Sequence, residues 1–183
     1  MRIIGGKYRS RVLAEFKGDA VRPTSDRVKE SLFNILSLSL RGARVLDLFC
    51  GSGALGLESL SRGASEVVFN DLSKDSLTIL KKNLTALKID KTEATVLNYD
   101  YSVCLNSKIG QFDFIFIDPP YRFDYGISAL ETISKNKLLK KGGVVVYERD
   151  RSFEGEIAGL EKYDERKYGK TFLTFFRKKE IEE

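Results

Sequence analysis

Arg44-Val45-Leu46-Asp47-Leu48-Phe49-Cys50-Gly51-Ser52-Gly53-Ala54-Leu55-Gly56 is the stretch that decides the fold. A short apolar run ends in an acid, breaks into G-x-G-x-x-G, and resumes with helical periodicity. A strand that turns on glycines directly into a helix is the opening unit of a doubly wound α/β domain. Reading outward, apolar strands and amphipathic helices alternate. A strand at 44–49 and a helix at 54–61, stopped by Gly63, are followed by a strand at 66–70. A helix carrying Leu77, Leu80, Leu84 and Leu87 leads to a strand at 94–98 and a short helix before Gly110. A strand at 112–117, a helix at 125–135 and a strand at 144–147 come next. Two β-rich segments around Gly169-Lys170 are expected to pair antiparallel. Nearly uniformly apolar strands alternating with helices predict a mostly parallel sheet of seven strands, helices on both faces and the last strand antiparallel.

Upstream, Val28, Leu32, Ile35, Leu36 and Leu40 mark an amphipathic helix over 24–40, with Thr24, Ser25 and Asp26 available as caps. Ahead of it, Ile3-Ile4, Gly5-Gly6 and the run to Val12-Leu13 read as a short β-hairpin extension. The expected division is a basic extension over 1–21 and a catalytic domain over 22–183. The net charge of +5 lies entirely in the first 41 residues, which hold nine basic and four acidic side chains against 22 of each in the remainder. Arg2, Lys7, Arg9, Arg11 and Arg22, interleaved with Tyr8 and Phe16, suit contact with nucleic-acid phosphates. A solvated basic face without a partner is the plainer reading of the same charge.

The sequence has no histidine, which removes Ser-His-Asp and Cys-His relays and the commonest zinc ligand. Cys50 and Cys104 lack metal-ligand or disulfide spacing, so no metal is expected. No apolar run reaches the length of a membrane span, and the N-terminus lacks a signal-peptide pattern. A cytoplasmic protein that engages no membrane is expected.

Ligands of such sheets bind beyond the carboxyl ends of the strands. Asp71, twenty residues after Gly51, is placed to accept hydrogen bonds from ribose hydroxyls. Asp47 and Asp100 end the first strand and follow the third. Three carboxylates disfavour a pyrophosphate and suit S-adenosylmethionine, which carries a sulfonium and an ammonium instead. For the glycine loop alone, a plain tight turn is the competing reading. The fourth strand ends in Asp118-Pro119-Pro120-Tyr121. An exocyclic amine on a nucleobase is a weak nucleophile because its lone pair is delocalised into the ring. Acceptors on both N–H groups, here Asp118 and the Pro119 carbonyl, favour the tetrahedral geometry needed to attack a methyl group. The prolines restrain the acceptors' direction, and Tyr121 can stack on the base. Gly169-Lys170-Thr171 looks like the end of a phosphate loop, but Asp164 stands where that motif needs glycine, so a hairpin turn is expected.

These motifs, together with Arg2-Ile3-Ile4-Gly5-Gly6-Lys7-Tyr8-Arg9 and Arg22-Pro23-Thr24-Ser25-Asp26-Arg27-Val28-Lys29-Glu30-Ser31-Leu32-Phe33-Asn34, resemble the bacterial RsmD-type family of ribosomal RNA guanine-N2 methyltransferases. The resemblance covers nearly the whole chain. It implies a Rossmann-like class I fold and methylation, with S-adenosylmethionine, of the N2 amine of one guanine in 16S ribosomal RNA or the small subunit, by a monomer. It implies that Cys50, Gly51, Gly53, Asp71 and Leu72 contact the cofactor beside Asp47, with Asp100 and Tyr101 near the adenine. Asp118 to Tyr121 would hold the guanine, and Thr24 and Arg27 would close over the methionine end or the incoming nucleotide. Cys50 stands where alanine is usual, and Asn70-Asp71-Leu72-Ser73 departs from a run that normally begins with Glu and keeps a second acid. A buried small apolar filler is the reading of Cys50, against a nucleophilic thiol. Two rival readings remain: an adenine-N6 or other amino-methyltransferase acting on DNA, and a non-catalytic nucleic-acid-binding module of the same fold.

Overall fold

A computed structural model describes residues 1–17, 25–121 and 123–180. After the N-terminal segment come α1 (Asp26–Leu36), a 3-10 turn (Ser37–Leu40), β1 (Arg44–Asp47), α2 (Ala54–Ser61), β2 (Glu66–Asn70), α3 (Lys74–Ala86) and β3 (Ala94–Leu97). The chain continues through α4 (Tyr101–Asn106), β4 (Phe112–Ile117), α5 (Tyr125–Lys135), β5 (Leu139–Arg149), β6 (Leu160–Tyr168) and β7 (Thr171–Lys178). The seven strands form one sheet in the order β3-β2-β1-β4-β5-β7-β6. Neighbours from β3 to β5 run parallel, and β7 is antiparallel to both β5 and β6. The doubly wound topology read from the sequence is the one observed, with Gly169 in the β6–β7 turn.

Strand alternation sorts the core into two layers. Val45, Phe69, Phe114, Phe116 and Phe175 face Leu32 and Phe33 of α1, Leu57 of α2, and Leu77 and Leu80 of α3. Leu46, Val68, Ile115, Ile117 and Phe176 face Leu105 of α4 and Leu130 and Ile133 of α5. The central strands β1, β2 and β4 are therefore covered on both sides, which is why their sequences are largely apolar, whereas β3 at the sheet edge leaves Thr95 exposed.

Several boundaries differ from the sequence reading, and β1 and β3 are shorter than expected, ending at Asp47 and Leu97. The first helix ends at Leu36, where Ser37 takes φ +41°, and Ser37–Leu40 continues as a 3-10 turn. Its N-cap is Ser25, whose hydroxyl accepts the Val28 N–H at 3.2 Å. β5 is longer than the apolar run 144–147 because Glu148 and Arg149 pair with Leu173 and Phe172 of β7. That cross-strand pairing has no signature in the local sequence.

The N-terminal hairpin forms as expected, through an Arg2–Val12 bridge and the Ile3 N–H to Arg11 carbonyl bond of 3.0 Å. Over residues 1–17 it is packed on the domain and does not stand apart, since Ile3 and Leu13 are buried in the same layer as α1 and α2. Glu58 of α2 fixes it. Its carboxylate accepts the Ile4 and Gly5 N–H groups, each at 2.9 Å, and the Arg62 guanidinium at 2.8 Å. Lys29 of α1 lies 3.4 Å from the other side of Glu58, both side chains fully buried, and its ammonium donates to the Arg2 carbonyl at 2.5 Å. Burial pushes the Lys29 pKa down, against the opposing pull of Glu58.

Removing one member of a buried ion pair strands the other, at a cost of about 3–5 kcal/mol. Glu58→Ala is expected to destabilise the protein by that amount in urea unfolding. A loss below about 1 kcal/mol, the scale of an exposed pair, would show that the cluster does not hold the hairpin to the domain.

Candidate active site

The glycine loop runs from the end of β1 to the start of α2, and its glycines serve different ends. Gly51 has φ +54° with open space where a side chain would project, so the loop backbone presents a bare face there. Gly53, at φ +93°, caps α2, and a Cβ would lie 2.4 Å from Leu80. Gly56 abuts the Phe69 ring, where a Cβ would be 2.2 Å away. The first glycine leaves room for a ligand, and the other two allow close packing.

Asp71 follows β2 and faces this loop. One carboxylate oxygen accepts the Gly51 N–H and the other the Ser73 N–H, each at 2.8 Å. Both oxygens are thereby oriented, and each retains lone-pair capacity for a hydroxyl donor. Leu72 beside it is 67% exposed, and its backbone is pinned by the Asn98 amide, which donates to the Asp71 and Leu72 carbonyls at 2.9 Å each. Asp100 caps α4, accepting the Ser102 N–H at 2.9 Å. Tyr101 packs between Phe49 and Tyr125, at ring-centroid distances of 5.5 and 5.1 Å, and Phe123 stacks on Tyr125 at 4.9 Å. This aromatic row crosses from the α4 side to the α5 side of the site.

Asp47 is only 2% exposed, and its carboxylate accepts the Gly56 N–H at 2.9 Å, tying β1 to the first turn of α2. Burial, reinforced by nearby Asp71 and opposed by the Gly56 bond, pushes its pKa up to about 7. Cys50 is also buried, and desolvation followed by the charges of Asp47 and Asp71 pushes its thiol pKa well up. A thiol so raised is not a nucleophile at neutral pH. Its Sγ lies 3.7 Å from the Gly51 carbonyl.

Asp118-Pro119-Pro120-Tyr121 leaves β4 beside this loop. β4 is the direct parallel neighbour of β1, with Asp47 opposite Phe116 and the Leu48 N–H donating to the Phe116 carbonyl at 3.2 Å. Asp118 and Phe49 each stand two residues beyond the paired Phe116 and Asp47. Pro119 is buried, Asp118 is half-buried, and Pro120 and Tyr121 are exposed. The Tyr121 hydroxyl donates to Glu148 at 3.3 Å, and its pKa is raised by desolvation and by the charges of Glu148 and Asp118. It stays a neutral phenol.

The fold thus brings Asp47, Cys50, Gly51, Gly53, Asp71, Leu72, Asp100 and Tyr101 to one half of the carboxyl edge and Asp118 to Tyr121 to the adjoining half. Arg27 is exposed and shares a groove with Ser25, Val28, Lys167, Tyr168 and Gly169. It lies by the β6–β7 turn, on the opposite side of the strand order from β2 and β3. Arg2, Lys7, Arg9 and Arg11 are exposed on the docked hairpin. Thr24 and Arg22 lie outside the described residues. The sequence reading did not single out Asn70, which is buried and donates to the Leu48 and Tyr99 carbonyls at 3.1 Å each, joining the ends of β1, β2 and β3. Nor did it single out Glu148. Among the described residues no helix is long and apolar enough to cross a membrane, and no group of three or more acidic or cysteine side chains is placed to hold a metal ion.

A fixed carboxylate for a ribose diol, an open glycine backbone, an exposed leucine for a purine face and nearby acids fit S-adenosylmethionine. Asp71→Ala removes charge-assisted bonds contributing about 1.5–3 kcal/mol and is expected to weaken its binding roughly 10- to 100-fold in calorimetric titration. Unchanged affinity would place the pocket elsewhere. Asp47 gives a pH signature. Below its ordinary pKa of 3.8 the folded and unfolded chains both hold the proton. As pH rises from there to about 7 only the folded chain keeps it, so this group's contribution to stability falls, and above 7 the loss is complete. Asp47→Asn can still accept the Gly56 N–H. Its Tm is expected to exceed the parent's at pH 8, with the gap closing toward pH 4, whereas a pH-independent gap would contradict the raised pKa.

Residues 1–177 match the family described as conserved hypothetical protein 95. Ribosomal RNA small subunit methyltransferase D of Haemophilus influenzae is 39% identical over 153 residues, covering 82% of this chain and 79% of its own. The structure of yhhF from Escherichia coli superposes with a TM-score of 0.87 at 30% identity, over 97% of both chains. That of HI0767 from Haemophilus influenzae gives 0.81 at 34% identity, over 98% of both. A match along nearly the full length, in sequence and in topology, means that the chain belongs to the conserved hypothetical protein 95 family, the RsmD-type methyltransferases that use S-adenosylmethionine.

Proposed function

We propose that this methyltransferase modifies ribosomal RNA, at the exocyclic N2 amine of one guanine in the 16S RNA of the small subunit. The observation that carries the reading is the position of Asp118-Pro119-Pro120-Tyr121 on the strand next to the glycine loop. Hydrogen-bond acceptors for an aromatic amine therefore adjoin the cofactor half of the edge. The small-subunit rRNA methyltransferase name of the Haemophilus relative supports the choice of RNA.

Asp71, with the loop backbone at Gly51, holds the ribose; Leu72, Asp100 and Tyr101 flank the adenine. When bound, S-adenosylmethionine supplies an electrophilic methyl group on a sulfonium sulfur. The target base, turned out of its stack, lies against Tyr121. Asp118 and the Pro119 carbonyl accept its two N2–H bonds, drawing the nitrogen toward tetrahedral geometry and directing its lone pair at the methyl group. Methyl transfer would form the N–C bond as the methyl–sulfur bond breaks, with that electron pair staying on a neutral thioether sulfur and the positive charge passing to N2. Asp118 stabilises that charge until the amine gives one proton to solvent water. With no histidine in the chain, catalysis here rests on orientation and electrostatics. The exposed Arg2, Lys7, Arg9 and Arg11 of the hairpin and the exposed Arg27 beside the β6–β7 turn provide phosphate contacts, with Arg22 adding to the same basic run of the sequence.

Labelled methyl transfer to ribosomal RNA and small subunits from cells lacking this protein, followed by nucleoside analysis, tests the reading. A single labelled N2-methylguanine is expected, and label on adenine would overturn it. Asp118→Ala is expected to abolish transfer while leaving S-adenosylmethionine affinity within about twofold, well under the tenfold that 1.4 kcal/mol represents. An undiminished rate would remove Asp118 from the mechanism.

A further inference from the structure

Glu148 lies near the carboxyl end of β5, followed by the equally buried Arg149, and is only 6% exposed. Ile117 of β4 is paired with Tyr147 of β5, so Asp118 and Glu148 are the next residues on two adjacent parallel strands. On its other side Glu148 is paired with Leu173 of β7, which fixes its place from both directions. The Tyr121 hydroxyl donates to one of its oxygens at 3.3 Å. Pro119, Tyr121 and Glu148 share one narrow cleft with Arg149, Asp150 and Arg151. A carboxylate has about four lone-pair sites on two oxygens, more than a single phenol can use.

On its Watson–Crick edge guanine presents N1–H beside the N2 amine, two adjacent donors. Adenine presents N1, an acceptor, beside its N6 amine, and cytosine likewise sets N3 beside N4. A carboxylate next to the acceptors that receive the amine is attracted to the first pattern and repelled by the other two. We propose that Glu148 selects guanine, accepting N1–H while Asp118 and the Pro119 carbonyl accept the N2–H bonds. This rests on the guanine-N2 reading above and adds the residue that separates guanine from the other aminated bases. Tyr121 acts through the same carboxylate, orienting it from the side while its ring supports the base. A site built to receive a hydrogen bond discriminates strongly against an analogue that lacks the donor.

The test uses 2-aminopurine, which keeps the 2-amino group and has an unprotonated N1. Once the labelled guanine has been mapped, small-subunit RNA carrying 2-aminopurine at that position is compared with the guanine RNA by kcat/KM. The parent enzyme is expected to favour guanine roughly 5- to 160-fold, the span of about one to three kcal/mol for a good base contact. Glu148→Gln keeps an acceptor for Tyr121 and adds an N–H that can serve N1 of the analogue. Its guanine rate is expected to fall and its preference to shrink to within about threefold, with S-adenosylmethionine affinity unchanged. Tyr121→Phe, with Glu148 intact, is expected to keep the guanine preference at a lower overall rate. Equal use of both RNAs by the parent overturns the assignment without recourse to any variant. So does a Glu148→Gln enzyme that retains the parent's preference. Absence of guanine label with the parent and ordinary RNA is the separate result that removes the underlying function.

Discussion

Glu58 holds together the parts of this protein that its topology leaves independent. Four donors from three segments converge on one buried carboxylate: Lys29 of α1, Arg62 at the C-cap of α2, and the Ile4 and Gly5 N–H groups of the hairpin. In an apolar layer neither the ammonium nor the carboxylate is tolerable alone, so the arrangement is enforced by the cost of breaking it. The hairpin is consequently fixed to the helix that the glycine loop begins. Its exposed basic residues therefore keep a defined position relative to the cofactor loop.

The carboxyl edge of the sheet works by adjacency. β1 delivers the glycine loop, β2 delivers Asp71, the start of α4 delivers Asp100, and β4 delivers Asp118. Because β1 is flanked by β2 and β4, the glycine loop, Asp71 and Asp118 are brought to adjoining parts of one edge without any long excursion of the chain. Asn70 and Asp47 are internal struts of this edge, one joining strand ends and the other anchoring the first turn of α2. The row from Phe49 through Tyr101 and Tyr125 to Phe123 links the two halves by ring packing.

The electrostatics of the site are those of acids in partly dry surroundings. Asp47 is raised by burial, Cys50 is kept as a thiol, and Tyr121 is kept as a phenol beside Glu148. Such a set offers oriented acceptors and stabilises cationic character, which is what methylation of a neutral amine by a sulfonium requires. It supplies no neutral-pH proton relay of the histidine kind, and the proposed chemistry does not call for one.

Much of this was legible in the sequence, because strand and helix periodicity, glycine turns and the Asp-Pro-Pro-Tyr run are encoded over a few neighbouring residues. Helices at 54–61 and 125–135, strands at 66–70 and 112–117, and the closing hairpin are found where local pattern placed them. Asp71 was also legible, since its distance from the glycine loop is set by one βαβ unit. Residues whose meaning depends on a partner far along the chain were not. Glu148 reads as a surface charge until β7 extends β5 and Tyr121 returns to meet it. Nothing in their own helices marks Lys29 and Glu58 as buried, since the hairpin that covers them is distant in sequence, and the basic N-terminus, expected as an extension, places Ile3 in the core. Short-range sterics and hydrophobic period are enough to read the fold class, the glycine loop and the Asp-Pro-Pro-Tyr turn from the chain alone. Which charges are buried, and that Glu148 stands beside Asp118, follows from the assembled fold, because burial and pairing are properties of segments brought together from distant positions.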